Sequence, residues 1–210
     1  MILIGTGAQA KYVIDILSQS RQIPELVFNL PGYNKNKYFY DKPVFEFRVD
    51  KVEELTSCVI CCSDSFLKEN LYQQLKDKHL LFKQVIHPKA YVSKYAKVGI
   101  GTIINANATI QIESKIRSFC MIHSGVIVEH NCVVDDFVNL GPGVILGGGV
   151  TVGKHTVINS GSIIAKNTTI GKGCIIGAGS LVLEDIPDNV LAYGHPIDPS
   201  KYKEIIRGPI

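Results

Sequence analysis

The sequence carries almost no surplus charge of either sign: 22 Lys and Arg stand against 19 Asp and Glu, a net charge of +3. No basic patch stands out along it, so neither nucleic acid nor an anionic membrane surface is expected as a main partner. Apolar runs of about 18 residues or more are also missing, which argues against a membrane-spanning helix. The opening Met1-Ile2-Leu3-Ile4-Gly5 lacks the basic-then-apolar order of an export signal, and the expectation is a soluble, cytoplasmic protein. A metal framework is lacking as well. Cys58 and Cys61 have C-x-x-C spacing, but no second pair and no histidine cluster accompanies them, so no metal is expected. The six cysteines read instead as small buried hydrophobes, three in the apolar stretch Cys58, Cys61 and Cys62, and three at small positions of a repeat.

That repeat is the dominant feature present. At every sixth position from 86 to 182 the residue is Ile, Val or Leu, seventeen times without exception. A helix repeats near 3.6 and a lone strand at 2, so period six requires stacked coils. The residue four places after each aliphatic is small or β-branched, for example Ala108, Ser114, Cys120, Cys132 and Ser162. One short strand and one corner per hexad, with three hexads to a coil, predict a triangular parallel β-solenoid. Its aliphatics fill the interior, and the small residues are expected at the tight corners. Several coils are needed because no single one buries its own apolar face.

The first 85 residues lack this rhythm. Met1-Ile2-Leu3-Ile4 reads as a buried strand, Gly5-Thr6-Gly7-Ala8-Gln9-Ala10 as a glycine-rich turn, and Val13, Ile14 and Leu17 as the apolar face of a following helix. Such a turn suits a phosphate or pyrophosphate, and equally a plain compact βα connection. A second strand is expected at Leu26-Val27-Phe28. The acidic residue of a nicotinamide site is missing after it, since Asn29-Leu30-Pro31 stands there. A third strand at 58–62, a helix at 65–78 and a last strand at 82–86 complete a small parallel-sheet unit. The expected organisation is a Rossmann-like α/β domain at 1–85, a β-helix at 86–192 and a C-terminal tail at 193–210.

Two histidines, His123 and His130, lie off the inward positions. In Val128-Glu129-His130-Asn131-Cys132 the imidazole falls just beyond a strand and is expected to face a groove between neighbouring protomers. Histidine is the side chain suited to accept a proton near neutrality. On spacing alone, a base and a solvated bystander both remain open.

The hexad run, the preceding glycine-rich βα unit, the segment 128–134 and the closing Tyr193-Gly194-His195-Pro196 together resemble the bacterial sugar acetyltransferases of the PglD/NeuD type, over essentially the whole chain. The resemblance implies a left-handed β-helix of hexapeptide repeats that binds acetyl-CoA, a Rossmann-like domain that holds a nucleotide-linked amino sugar, and a homotrimer with active sites between subunits. It places the general base at His130. The next position is usually acidic in that family, and Asn131 stands there. Either another acid such as Glu129 or Asp135 takes over that role, or the base is weaker. On the nucleotide side it implies Gly7, Ala8 and Gln9, with Gln9 where a histidine is usual, Asn29 in place of an acidic pair, and Ser63 in place of a glycine. These departures point away from the commonest UDP-sugar and make a dTDP-sugar a candidate. On the coenzyme side it implies Asn139, Gly148, Ser160 and Ala178, with the run Gly147-Gly148-Gly149 letting a pantetheine arm lie close to the backbone.

The implied reaction is direct transfer of acetyl to the amine of a dTDP- or UDP-linked 4-amino-4,6-dideoxy sugar, with no covalent enzyme intermediate. Two alternatives compete. One is O-acetylation, as of a sialic acid, which asks for stronger base assistance. The other is a non-catalytic trimeric scaffold. The tail carries Lys201, Lys203 and Arg207, read either as a solvated end or as partners of coenzyme phosphates.

Overall fold

The computed structural model describes residues 1–20, 22–31, 37–52 and 56–205. The chain divides into two compact units, Met1–Pro88 and Lys89–Ile210. Among the described residues, no helix is long and apolar enough to cross a membrane.

In the first unit, β1 (Ile2–Ile4) is followed by α1 (Ala8–Gln19) and β2 (Leu26–Phe28). A short antiparallel hairpin comes next, β3 (Tyr38–Phe39) with β4 (Lys42–Phe45), then β5 (Ser57–Ile60), α2 (Ser65–Leu75) and β6 (Leu81–Phe82). The sheet order is β3-β4-β2-β1-β5-β6. Strand β1 pairs in parallel with β2 on one side and β5 on the other, Ile4 lying beside both Phe28 and Ile60. It is buried on both faces, as expected for a central parallel strand. The chain order therefore reverses at β1, and the crevice beyond the carboxyl ends of β1 and β5 is the usual ligand position of such sheets. The sequence pattern did not announce the hairpin, because strands of two and four residues are too short for alternation to show.

The second unit is a left-handed β-helix of hexapeptide repeats. Two-residue strands stack in parallel into three faces, each strand from Tyr91–Val92 to Ile163–Ile164 pairing with the one 18 residues later. Face one runs through Ile103–Ile104, Met121–Ile122, Asn139–Leu140 and Val157–Ile158; face two through Thr109–Ile110, Ile127–Val128 and Ile145–Leu146; face three through Lys115–Ile116, Val133–Val134 and Thr151–Val152. The repeating aliphatics from Ile104 to Val182 are each at most 2 % exposed, so they form one continuous core.

The corners differ in one respect from the expectation. The small residues do not occupy them but point inward just past them, and Ala108, Ser114, Cys120, Cys132, Thr156 and Ser162 are fully buried. The turn itself is made by the third and fourth residues of the hexad, and the fourth is left-handed in fourteen successive hexads, from Gly101 through Asn107, Glu113, Phe119, Gly125 and Asn131 to Gly179. Seven of the fourteen are glycine and three asparagine, the residues that tolerate this conformation best. The inward Ser, Thr and Cys have a polar duty. Ser114 Oγ donates to the Glu129 carbonyl at 2.6 Å and accepts from the Cys132 N–H at 3.1 Å, tying corner backbone that would otherwise be buried unpaired.

The tail is not a loose end as far as residue 205. Lys203–Glu204 pairs antiparallel with Val190–Ala192, Lys201 pairs with Asp198 at 3.4 Å, and Lys203 Nζ lies 5.7 Å from the centre of the Tyr193 ring. Arg207 lies outside the described residues.

Candidate functional site

Three columns of corners run along the prism. After face one come Ala106-Asn107, Ser124-Gly125, Pro142-Gly143, Ser160-Gly161 and Ala178-Gly179; after face two, Ile112-Glu113, His130-Asn131, Gly148-Gly149 and Lys166-Asn167; after face three, Ile100-Gly101, Ser118-Phe119, Asp136-Phe137 and Lys154-His155. Within a column the fourth residue donates its N–H to the third residue's carbonyl one coil earlier. Examples are Asn131 to Ile112 at 3.2 Å, Gly149 to His130 at 2.9 Å and Gly161 to Pro142 at 2.9 Å.

His130 stands on the second column, which is the histidine corner. It is exposed, two residues past strand Ile127–Val128. Its Nδ1 lies 2.8 Å from Asn131 Oδ1, and Asn131 Nδ2 donates to Glu113 Oε2 at 2.7 Å. The opposite edge of the ring lies over Gly148, where a Cβ would come within 2.7 Å of both Nε2 and Cε1. Gly148 is thus glycine because the imidazole occupies the space a side chain would need. The flanking glycines are no more open: a Cβ on Gly147 would meet Lys166 N at 2.7 Å, and one on Gly149 would meet Asn167 Oδ1 at 2.5 Å. Glu113 and Asn131 also line a surface groove of about 310 Å³ with Tyr95, Lys97, Ser114 and Lys115, so two lysines share that groove with the carboxylate. Asp135, named from sequence as a substitute acid, faces Arg117 at 3.5 Å and accepts from the Asp136 N–H at 2.8 Å; the acid joined to the dyad is Glu113.

The residues expected on the coenzyme side fall in two places. Ser160 and Ala178 share the first column, and Asn139 sits on a face-one strand with its Oδ1 buried and unpartnered. Gly148 belongs to the histidine corner instead. Along the first column a Cβ on Gly143, Gly161 or Gly179 would meet nothing within 4 Å, so this edge is narrow and open. The segment Tyr193-Gly194-His195-Pro196 abuts its last coil: His195 Nδ1 is 3.2 Å from the Gly179 carbonyl, and a Cβ on Gly177 would strike Tyr193 Cβ at 2.6 Å. His123, the other histidine singled out from sequence, precedes a corner of this first column.

In the first unit, Gly7, Ala8, Asn29 and Ser63 gather at the carboxyl ends of the parallel strands. Gly5 has φ of 109°, and a Cβ there would lie 2.3 Å from the Cys61 carbonyl oxygen, so only glycine permits the turn. Gly7 caps α1 with no side-chain hydrogen bond and with open space around it, leaving the helix N-terminus accessible. Thr6, which the sequence reading passed over, donates its hydroxyl to Asn29 Oδ1 at 2.8 Å and joins the two loops. Gln9 does not stand in the open crevice: it is 5 % exposed and its Oε1 is buried without a partner.

Residues 149–184 match the family described as bacterial transferase hexapeptide (six repeats). No curated protein matches the sequence. Among solved structures, PerB from Caulobacter crescentus in complex with CoA and GDP-perosamine is similar at 28% identity over 94% of this chain and 95% of that one, with a TM-score of 0.86. The acetyltransferase domain of PglB from Neisseria gonorrhoeae in complex with acetyl coenzyme A shares the fold at 23% identity, covering 94% and 97%, TM-score 0.82. WeeI from Acinetobacter baumannii AYE does so at 22% identity, covering 94% and 97%, TM-score 0.82. Residues 149–184 thus carry a repeat that matches bacterial transferases, in a chain whose fold is similar to that of a perosamine N-acetyltransferase.

Proposed function

We propose that the chain transfers the acetyl group of acetyl-CoA to the amine of a nucleotide-linked 4-amino-4,6-dideoxy sugar, with His130 as general base. The observation that carries this reading is an exposed imidazole held at Nδ1 by Asn131, with its Nε2 edge over a glycine kept free of any side chain. The similarity to a protein that binds CoA and GDP-perosamine supports an acetyl-CoA-dependent acyltransferase. The same relative holds both ligands with one histidine replaced by alanine or asparagine, so that histidine is not required there for binding either ligand.

The sugar amine attacks the thioester carbonyl carbon as His130 Nε2 takes the amine proton. The N–C bond forms, the C–S bond breaks, and the proton ends on the departing coenzyme A sulfur. The thioester is already activated, so the chain need supply only position, a base and a backbone N–H for the developing charge. The nucleotide occupies the crevice beside Gly7, Ala8, Asn29 and Ser63, with its phosphates at the N-terminus of α1. The coenzyme arm lies along the narrow edge of Ser160, Ala178 and the open glycines, beside Asn139. That edge and His130 belong to different corners of one chain. A homotrimer that sets one copy's histidine corner against its neighbour's small corner unites them.

The test is coenzyme A release with GDP-, UDP- and dTDP-linked 4-amino sugars, comparing the wild type with His130→Ala. The variant should lose about 10²- to 10⁴-fold in kcat, with coenzyme affinity little changed. Near-normal turnover would end the assignment of His130, and a fully active monomer in sedimentation would end the shared site.

A further inference from the structure

We propose that Glu113, one coil before the catalytic histidine, is a positioning residue that fixes the tautomer of His130 through Asn131. The inference rests on the reading of His130 as the base. Glu113 and Asn131 occupy equivalent fourth positions in consecutive coils of one corner, with φ of 63° and 60°. The pairing of Ile110 with Val128 and the Asn131 N–H bond to the Ile112 carbonyl hold the two turns in register.

The direction of the two side-chain hydrogen bonds then follows from chemistry. A carboxylate accepts and cannot donate, so the amide end that meets Glu113 Oε2 at 2.7 Å must be the NH₂ of Asn131. That leaves Asn131 Oδ1 toward the ring at 2.8 Å, and an amide oxygen only accepts. His130 Nδ1 must therefore carry the hydrogen. A neutral imidazole holds one N–H, so the lone pair sits on Nε2, the edge over Gly148. Asn131 alone would not impose this, because a free amide can turn either end to the ring. Glu113 removes that freedom. The carboxylate acts on the imidazole from 17 positions away in the sequence, through the amide of Asn131.

The backbone supports a dedicated role. Of the fourteen left-handed corner residues, ten are glycine or asparagine. Three of the other four, Phe119, Phe137 and His155, stack on one another. Glu113 is the fourth, and a glutamate there accepts a conformation that favours glycine. Its hydrogen bond to Asn131 is what the position gains.

Glu113→Gly separates this role from folding, since glycine suits the backbone and should leave thermal stability equal or higher. Its kcat should fall about 10- to 100-fold, with the KM for acetyl-CoA unchanged. Nitrogen-15 NMR of the imidazoles, with His130 assigned by its loss in His130→Gln, should show an Nδ1–H tautomer in the wild type and a mixture in Glu113→Gly. The double variant Glu113→Gly/Asn131→Asp, which returns a carboxylate directly to Nδ1, should recover most of the turnover and the single tautomer. An unchanged tautomer in Glu113→Gly overturns the proposal. A changed tautomer with undiminished turnover upholds the link from Glu113 to His130 and instead removes His130 as the base.

Discussion

The histidine corner and the aromatic corner are built from the same hexad, each contains a histidine, and they use it in opposite ways. His130 is a third-position residue and stands exposed. His155 is a fourth-position residue, 8 % exposed, with its ring stacked on Phe137 at 5.3 Å and 17°. Phe137 in turn stacks on Phe119 at 5.2 Å and 5°, and Lys154 Nζ lies 5.5 Å from the centre of the Phe137 ring. The difference of one place in the turn decides the outcome. Fourth-position side chains meet their equivalents in the next coil, so that column links coils: by stacked rings at one corner, by a carboxylate and an amide at the other. The third position is where a side chain can face a substrate.

The largest test of this contrast is to empty the aromatic column. Phe137 is 5 % exposed, and Phe137→Ala should cost about 3–5 kcal/mol of stability. Because φ at 137 is 61°, Phe137→Gly removes the ring but also the left-handed strain, and should be about 1 kcal/mol less damaging than alanine. Turnover per folded molecule should not change. Equilibrium urea unfolding, alongside the coenzyme A release assay, reads both quantities; equal losses for the two variants would mean that the left-handed turn carries no strain there.

At the histidine corner the converse is expected. Gly148→Ala places a methyl group 2.7 Å from Nε2, and the imidazole must swing away. The backbone at 148 is not left-handed, so the fold tolerates alanine. A displacement of about 1 Å at a reacting group can cost roughly 10²-fold, and turnover should drop by that order while the unfolding midpoint holds. If turnover survives, the ring does not work from the position it occupies over Gly148.

The contrast also marks what the sequence could and could not tell. The hexad core was legible because every aliphatic is held to one position by a continuous interior, and the coil length of 18 follows from it. That same number puts 113, 131 and 149 in one column, so Glu113 was within reach, although an acid eighteen places away carries no local signal. Asn131 reads in sequence as a missing carboxylate; in space its amide transmits one. The left-handed fourth position was blurred by Phe119, Phe137 and His155, which hold it through stacking rather than by backbone preference. Gln9 shows the converse: the sequence groups it with the glycine-rich turn, but it belongs to the first turn of α1 and faces inward. The hairpin at β3 and β4 and the return of Lys203–Glu204 rest on pairs of two to four residues, which leave no periodic trace.

The smallest effect expected distinguishes the two units by their thiols. Cys58 lies in the central sheet of the first unit, where burial pushes its thiol from 9.0 up to about 12. Burial raises Cys132 in the β-helix as well, with the backbone N–H groups near Val150 and Gly149 working against it. A thiol of raised pKa stays protonated in the folded chain while its unfolded counterpart ionises near pH 9. The stability this represents is therefore complete below pH 9 and is lost as pH climbs toward 12, at no more than about 1.4 kcal/mol per pH unit for each thiol. Cys58→Val keeps an apolar strand residue and removes the titration, so its urea midpoint should fall less between pH 8 and pH 10.5 than that of the wild type. Cys132→Ala should flatten the slope less, because neighbouring N–H groups already stabilise a thiolate there. Equal slopes for Cys58→Val and the wild type would mean that the sheet of the first unit does not exclude water from Cys58 as its burial in this fold requires.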